Sequence, residues 1–438
     1  SPRSGMTGMG ATGKDRAMTA KEKLTLKNGA RILLLPEEGA HSVSASLWVT
    51  AGSAWEQPEE QGVSHFIEHM VFKGSALYSS EDIASISDRM GGELNAYTEK
   101  ECTCFYTRVL SADAPAAFEL IADMVTSPRL DADDLELEKG VVCEEIAMYE
   151  SNPVDLCADL FYLVAFPERK LGKNVLGTRD SVNSMTPDML RKHMDRFYSP
   201  ASTVACFCGK FERDKIISLC KRYFSSPANK SAIPVLPKSD FCPGVHIFDK
   251  KTEQNQIVIG FSAPSLGSDS RFACQLIASM LGGSASSRLF RRLREEQGLV
   301  YSVDACASSY LSAGVFAVSM GVSRESEKKA VLTAAEVLRE FPDTVTEGEL
   351  DLARDHYLSG LIMSLESNSA RAARYGTGEL LLGGAISEKE LEEKIRGVSI
   401  DEIRSLARSF SSLSDACICA VGRTAGAKFY NKVVSGKK

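Results

Sequence analysis

The chain of 438 residues is 44% hydrophobic and 25% charged, and it carries a formal net charge of −7. This is the make-up of a globular protein of two or three domains, and the acidic balance speaks against a nucleic-acid partner while mildly favouring basic peptides or cations. No run approaches the roughly 20 apolar residues of a bilayer-crossing helix, so neither nucleic acid nor membrane is expected as a partner.

In chain order, residues 1–21 are rich in Gly, Ser, Met and Thr without a hydrophobic segment, which reads as a disordered leader and not a signal peptide. Strand-like runs at Arg31–Leu35 and Ser42–Val49 precede a helix expected from near Gln61 to just before Gly74. This helix carries His65-Phe66-Ile67-Glu68-His69. Residues i and i+4 share a helix face, so His65 and His69 can grip one ion, and Glu68 lies on the same side, within reach of a water held by that ion. Two neutral imidazoles suit zinc, and a free carboxylate beside zinc-held water suits hydrolysis. The chain has six histidines in all, so two of them in this arrangement carry weight. The same triplet also occurs on ordinary solvated helix faces. Here, however, Phe66, Ile67, Met70, Val71 and Phe72 make the segment apolar and point to a buried helix. Burying two histidines and a glutamate without partners is costly, and a metal removes that cost.

A second helix over Ser80–Met90 ends at Gly91-Gly92, and Glu93–Thr98 and Cys102–Leu110 read as strands. Helices are expected over Ala114–Thr126, Asp131–Tyr149 and Val154–Phe166, then a strand at Thr203–Cys208 and a helix from about Glu212. A catalytic zinc needs a third protein ligand and an open position, and the acidic helix Asp131–Tyr149 offers Glu138, Glu144 and Glu145. Glu138 and Glu145 lie two turns apart on one face, Glu144 points elsewhere, and Val141, Val142 and Ile146 are expected to pack inward. Periodicity does not choose between Glu138 and Glu145.

Residues 225–243 contain Pro227, Pro234, Pro237 and Pro243 with several serines, a linker composition near the midpoint. Beyond it the pattern of the first half returns. Gln256–Phe261 reads as a strand and Asp269–Leu281 as a helix ending in Gly282-Gly283-Ser284. Strands at Tyr301–Ser309 and Gly314–Met320 and helices at about Arg324–Glu340 and Glu347–Leu365 follow. Setting Gly283-Ser284 against Gly74-Ser75 puts Cys274, Ile277 and Ala278 where His65, Glu68 and His69 stand. The expected fold class is α+β: two homologous halves, each an antiparallel-rich sheet flanked by helices. The domains are 22–224 with the metal chemistry and 244–438 without it, joined by the Pro/Ser-rich linker. Twelve cysteines include the C-x-C pairs Cys102/Cys104, Cys206/Cys208 and Cys417/Cys419 but no C-x-x-C. They read as free, buried thiols of a cytoplasmic protein.

The H-x-x-E-H run is one of the inverted zinc-peptidase motifs. Together with Lys73-Gly74-Ser75, Gly91-Gly92 through Asn95-Ala96-Tyr97-Thr98, and Glu138 and Glu145 seven apart, it resembles the pitrilysin/insulinase family of zinc peptidases over about residues 24–425. The short-chain branch, which includes mitochondrial processing peptidase and many bacterial peptidases, is the most similar. The resemblance implies Glu145 as the third ligand, Glu138 as a supporting acid beside the ligands, and Asn95 and Ala96 as an edge strand aligning substrate backbone. It also implies that Arg294 and Tyr301, in Arg294-Glu-Glu-Gln-Gly-Leu-Val-Tyr301, join the site from the far half, Arg294 on substrate backbone and Tyr301 on the oxyanion.

On that resemblance the expected activity is a zinc endopeptidase with one Zn²⁺ per chain. Glu68 serves as general base, and an extended peptide lies as an added strand on Glu93–Thr98. The family's working unit has four such halves, so a homodimer enclosing a chamber is implied. The alternative is a non-catalytic scaffold of the same family, of the kind found as structural subunits of respiratory complexes.

Overall fold

The computed structural model describes residues 21–167, 170–225 and 235–436. The expected leader thus lies outside the described residues except for Lys21, as does 226–234 of the expected linker; 235–243 has neither helix nor strand. In the first half the strands are β1 (Glu22–Thr25), β2 (Arg31–Pro36), β3 (Ser42–Val49), β4 (Glu93–Thr98), β5 (Thr103–Leu110) and β6 (Thr203–Gly209). Its helices are α1 (Val63–Val71), α2 (Ser80–Met90), α3 (Ala114–Thr126), α4 (Ala132–Ser151), α5 (Pro153–Ala165), α6 (Arg179–Ser184), α7 (Pro187–Phe197) and α8 (Arg213–Tyr223). The second half has β7 (Gly244–Phe248), β8 (Asn255–Ala263), β9 (Val300–Ser309), β10 (Gly314–Val322) and β11 (Cys417–Val421). Its helices are α9 (Ser270–Gly282), α10 (Glu327–Thr344), α11 (Glu347–Ser364), α12 (Asn368–Leu382), α13 (Glu388–Gly397), α14 (Ile400–Arg408) and α15 (Ala427–Val434).

The first sheet runs β1-β2-β6-β3-β5-β4 and the second β7-β11-β8-β10-β9. Without β1 the two orders are the same, down to one parallel pair in each, β2 with β6 and β7 with β11. The fold is therefore the expected pair of like α+β halves, and neither sheet closes into a barrel. In this correspondence β4 and β9 are equivalent edge strands, opposite the edges β1 and β7. Capping is local and legible. Asp131 receives the Asp133 amide at the start of α4, and Ser79 and Asp82 form a reciprocal box at α2.

Successive strand residues point to opposite faces, and each sheet buries both. One face packs on its own half's helices: Ile32, Leu34, Leu47, Phe105 and Phe207 in the first sheet, and Ile257, Ile259, Phe316 and Ile418 in the second. The other face is covered by a helix from the opposite half. Leu33, Trp48, Cys104, Val204, Cys206 and Cys208 pack against Ala372, Tyr375 and Leu380 of α12. Val258, Ala317, Cys417 and Cys419 pack against Cys157, Phe161 and Ala165 of α5. All three C-x-C pairs thus line these exchanged contacts, where a small apolar side chain lets a helix come close. The twelve cysteines are free; nine are buried, Cys143 and Cys242 are half-buried, and Cys306 is exposed, so the expectation of buried thiols fails at those three. A second correction concerns α4. Val142 and Ile146 face inward, but Val141 is 51% exposed, because one residue turns the helix by about 100° and puts Val141 with Leu137 on the outer face.

Candidate metal centre

Helix α1 starts after Gly62 at φ +85°, where its backbone meets that of Gly177 at φ +77° so closely that a Cβ on either would run into the other. A glycine has no side chain to cap the helix, and Glu56 supplies the cap from upstream. Its Oε2 accepts the Gly62 amide at 2.8 Å and its Oε1 the Ser64 amide at 3.0 Å. A carboxylate is favoured at the unpaired N–H groups of a helix start. Burial nevertheless pushes Glu56 up to about 7, against the pull of those amides. Behind the same turn, Ser64 Oγ lies 3.2 Å from Nε2 of the buried His193 on α7. Phe66, Ile67, Met70 and Val71 are fully buried and anchor α1 in the core.

Anchored this way, α1 turns His65 and His69 toward α4. Glu145 Oε2 lies 3.5 Å from His65 Nε2 and 3.4 Å from His69 Nε2, and one donor atom from each residue falls within 4.8 Å of the others. A tetrahedral zinc with bonds of about 2.0–2.1 Å holds its ligands about 3.3 Å apart. The spacing and the two-imidazole, one-carboxylate donor set therefore fit zinc with a fourth position open. Of the two glutamates that periodicity left open, Glu145 is the one in this cluster. Glu138 sits one step behind it, its Oε1 2.7 Å from His69 Nδ1 and its Oε2 2.5 Å from Lys73 Nζ. That contact places a proton on His69 Nδ1 and leaves Nε2 for the cluster.

The electrostatics follow from the same contacts. Burial, then the neighbouring His69, pushes His65 down to about 4. Burial alone also disfavours charge on His69, but the Glu138 and Glu145 carboxylates outweigh it and raise His69 to about 9. Glu145 is held below the usual carboxylate range by the His69 contact. Glu68 is raised, chiefly by burial, although Thr98 Oγ1 donates to its Oε2 at 2.5 Å.

The structure places the other expected residues as follows. Asn95 and Ala96 lie on β4, which pairs with β5 alone; Asn95 is exposed and its Oδ1 accepts the Ala96 amide at 2.8 Å. Arg294, in a short π-helical turn over Phe290–Glu295, and Tyr301, at the start of β9, face each other with the guanidinium 5.5 Å from the ring centroid. Tyr301 is 72% exposed, and among the described residues no hydrogen bond or ion pair joins either to the His65 cluster. The structure thus brings His65, Glu68, His69, Glu138 and Glu145 together and leaves Arg294 and Tyr301 as a separate pair. A cavity of about 660 Å³, lined by Ile146, Tyr149, Leu156, Asp159, Lys173 and Asp180 among others, begins one residue from Glu145 without including the three donors.

Three contacts at the site were not read from the sequence, where Lys73 and Thr98 stand only as motif and strand residues and Glu56 is not singled out. Lys73 was findable, because it stands one turn after His69 on the same face. Glu56 and Thr98 come from a loop and a strand whose approach to α1 no local pattern encodes.

The description "Insulinase (Peptidase family M16)" belongs to the family model that matches residues 31–179, and "Peptidase M16 inactive domain" to the one that matches residues 184–357. An uncharacterized zinc protease of Bacillus subtilis is 35% identical over 388 residues, which cover 88% of this chain and 95% of that protein. Among solved structures, a protease from Helicobacter pylori superposes with a TM-score of 0.85 at 20% identity, covering 92% of this chain and 99% of the other. A chain of complex III2 from Candida albicans, solved with Inz-5 bound, superposes at 0.82 and 18% identity over 94% of this chain and 99% of its own.

Proposed function

This chain belongs to the insulinase family of M16 peptidases, and we propose that it is a zinc-dependent endopeptidase acting on extended peptides. The observation that carries the reading is the convergence of His65 Nε2, His69 Nε2 and Glu145 Oε2 beside the half-buried Glu68. Zinc held by His65, His69 and Glu145 supplies Lewis-acid polarisation of a peptide carbonyl and brings water toward a pKa of about 7. Glu68 accepts the proton of the attacking water at a carboxylate oxygen and then delivers it to the leaving amine. Its raised pKa suits a group that must take and return a proton near neutrality. Glu138 and Lys73 keep the His69 ring oriented.

Substrate backbone adds to the open edge of β4 along Asn95 and Ala96. Arg294 and Tyr301 reach substrate from a second half facing the first, where Tyr301 donates to the developing oxyanion and Arg294 holds the peptide. Their exposure on β9 and its preceding turn favours a facing second copy, a homodimer around a chamber that admits unfolded peptides. No helix of the described residues is long and apolar enough to cross a membrane.

The second reading is a scaffold without turnover, favoured by the structural likeness to a complex III2 chain. The donor set at His65, His69 and Glu145 argues against it. Mass-spectrometric mapping of cleavages in a mixed peptide library, with Glu68→Gln as control, decides between the two. The wild-type chain should cleave, and Glu68→Gln should keep its zinc while losing about 10²–10⁴-fold in kcat. A zinc-loaded wild-type chain that cleaves nothing establishes the scaffold.

A further inference from the structure

We propose that Thr98 is the positioning residue of the general base: its hydroxyl, fixed from behind by Thr103, selects the orientation in which the Glu68 carboxylate meets water and substrate. The proposal rests on the peptidase reading above.

Glu68 is a flexible, half-buried side chain on α1, and among the described residues nothing on its own helix holds it. Among the described residues, its one hydrogen bond comes from another element, the 2.5 Å donation of Thr98 Oγ1 to Oε2 at the end of β4. That is a short, charge-assisted bond, the kind that fixes geometry. Among the described residues no donor reaches Oε1, so the two carboxylate oxygens are unequal: one tethered, one available to accept a proton.

The tether is itself braced. Thr98 stands opposite Thr103 in the β4–β5 register. The Thr103 hydroxyl, fully buried, spans Thr98 Oγ1 at 3.3 Å and the Ala51 carbonyl oxygen at 3.0 Å. The Ala51 carbonyl can only accept and takes the single Thr103 proton, while Thr98 gives its own proton to the nearer Glu68 carboxylate, with the Thr103 oxygen packed behind it. Both threonines are β-branched and restricted at χ1, so the hydroxyls arrive with little freedom left to lose. The buried Tyr198 hydroxyl lies beside this row, its ionisation disfavoured by burial and by the Glu68 charge, with the Thr103 hydroxyl acting in the opposite direction. The base is thereby tied to the strand along which the peptide is proposed to lie. A peptide registered on β4 is registered at the same time to the oxygen that removes the proton.

The test is Thr98→Val, which keeps the shape and deletes the donor, beside Thr98→Ser, which keeps the donor. The expected result for Thr98→Val is a kcat lowered about 10- to 100-fold, with KM and zinc affinity unchanged, and Thr98→Ser within a few-fold of wild type. In a Glu68→Gln background Thr98→Val should add no further loss, because Thr98 acts through Glu68. A crystal structure of zinc-loaded Thr98→Val should show the Glu68 carboxylate displaced, a readout independent of turnover. Should the valine variant fail to bind zinc stoichiometrically, Thr98→Ala replaces it. A wild-type kcat in the hydroxyl-free variant, equal loss in Thr98→Ser, or an unmoved Glu68 overturns the proposal. Absence of cleavage by the wild-type chain instead overturns the peptidase reading, with the Glu68 position still deciding the role of Thr98.

Discussion

The exchange of α5 and α12 between the halves predicts that stability of one half is written partly in the other. Gly260, on β8 of the second sheet, faces Phe161 of α5, and a Cβ built at Gly260 would collide with the Phe161 ring. Gly260→Ala therefore overpacks the junction and should cost about 1–3 kcal/mol. Phe161 is 2% exposed, and Phe161→Ala should cost about 3–5 kcal/mol through lost burial and the space left behind. In the double variant the new methyl group enters that vacated space, so the Gly260→Ala cost should vanish. The shortfall from additivity is then about 1–3 kcal/mol. The assay is urea unfolding followed by tryptophan fluorescence. The two tryptophans, Trp48 and Trp55, both lie in the first half, so the signal reports that half while Gly260 belongs to the second. A fluorescence midpoint unmoved by Gly260→Ala, or strict additivity of the two changes, would refute the reasoning.

At the metal, Glu138→Gln keeps an acceptor for His69 Nδ1 but loses the charge, and zinc affinity should fall about 10-fold, the lower end for such supporting partners; competition with a chromophoric chelator measures it, and unchanged affinity counts against the role of Glu138. Glu101 is 4% exposed and receives the Leu311 amide from the other half at 2.8 Å, and burial pushes it up to about 7. Since its folded pKa is raised, the folded state binds more protons than the unfolded between about pH 4.5 and 7. Stability from this group is complete below that window and is lost as pH rises through it, by at most about 3 kcal/mol. Thermal midpoints of Glu101→Gln across pH 4–8 should fall less steeply than wild type; parallel curves would exclude the assignment. Tyr301→Phe should lower kcat with zinc affinity intact, as steady-state kinetics and chelator titration would show, and a wild-type kcat would remove Tyr301 from the site.

Much of the fold was legible because it is local. The strands with two-residue alternation and the helices with strong caps fall within a few residues of where the chain predicts them, as at Ser42–Val49, Ser80–Met90 and Glu93–Thr98. Helix α12 was missed because Gly376 and Gly378 weaken its helical signal. The structure explains the first of these, since a Cβ at Gly376 would strike Trp48. Helices α6 and α7, for which no expectation was drawn, are capped by Thr178 and Thr186.

The sequence by itself determined that His65, Glu68 and His69 share one helix face, since helical geometry fixes that spacing whatever surrounds it. It also determined that the halves repeat. Periodicity left Glu138 and Glu145 open, and the family resemblance implied Glu145. The tertiary structure brings Glu145 into the cluster with Glu138 behind it, and it alone decided that Glu56 caps α1 and that Thr98 meets Glu68. Each of these joins residues from separate elements whose distance is set by how α4, β4 and the core pack, and that packing is a property of the whole chain rather than of any window along it.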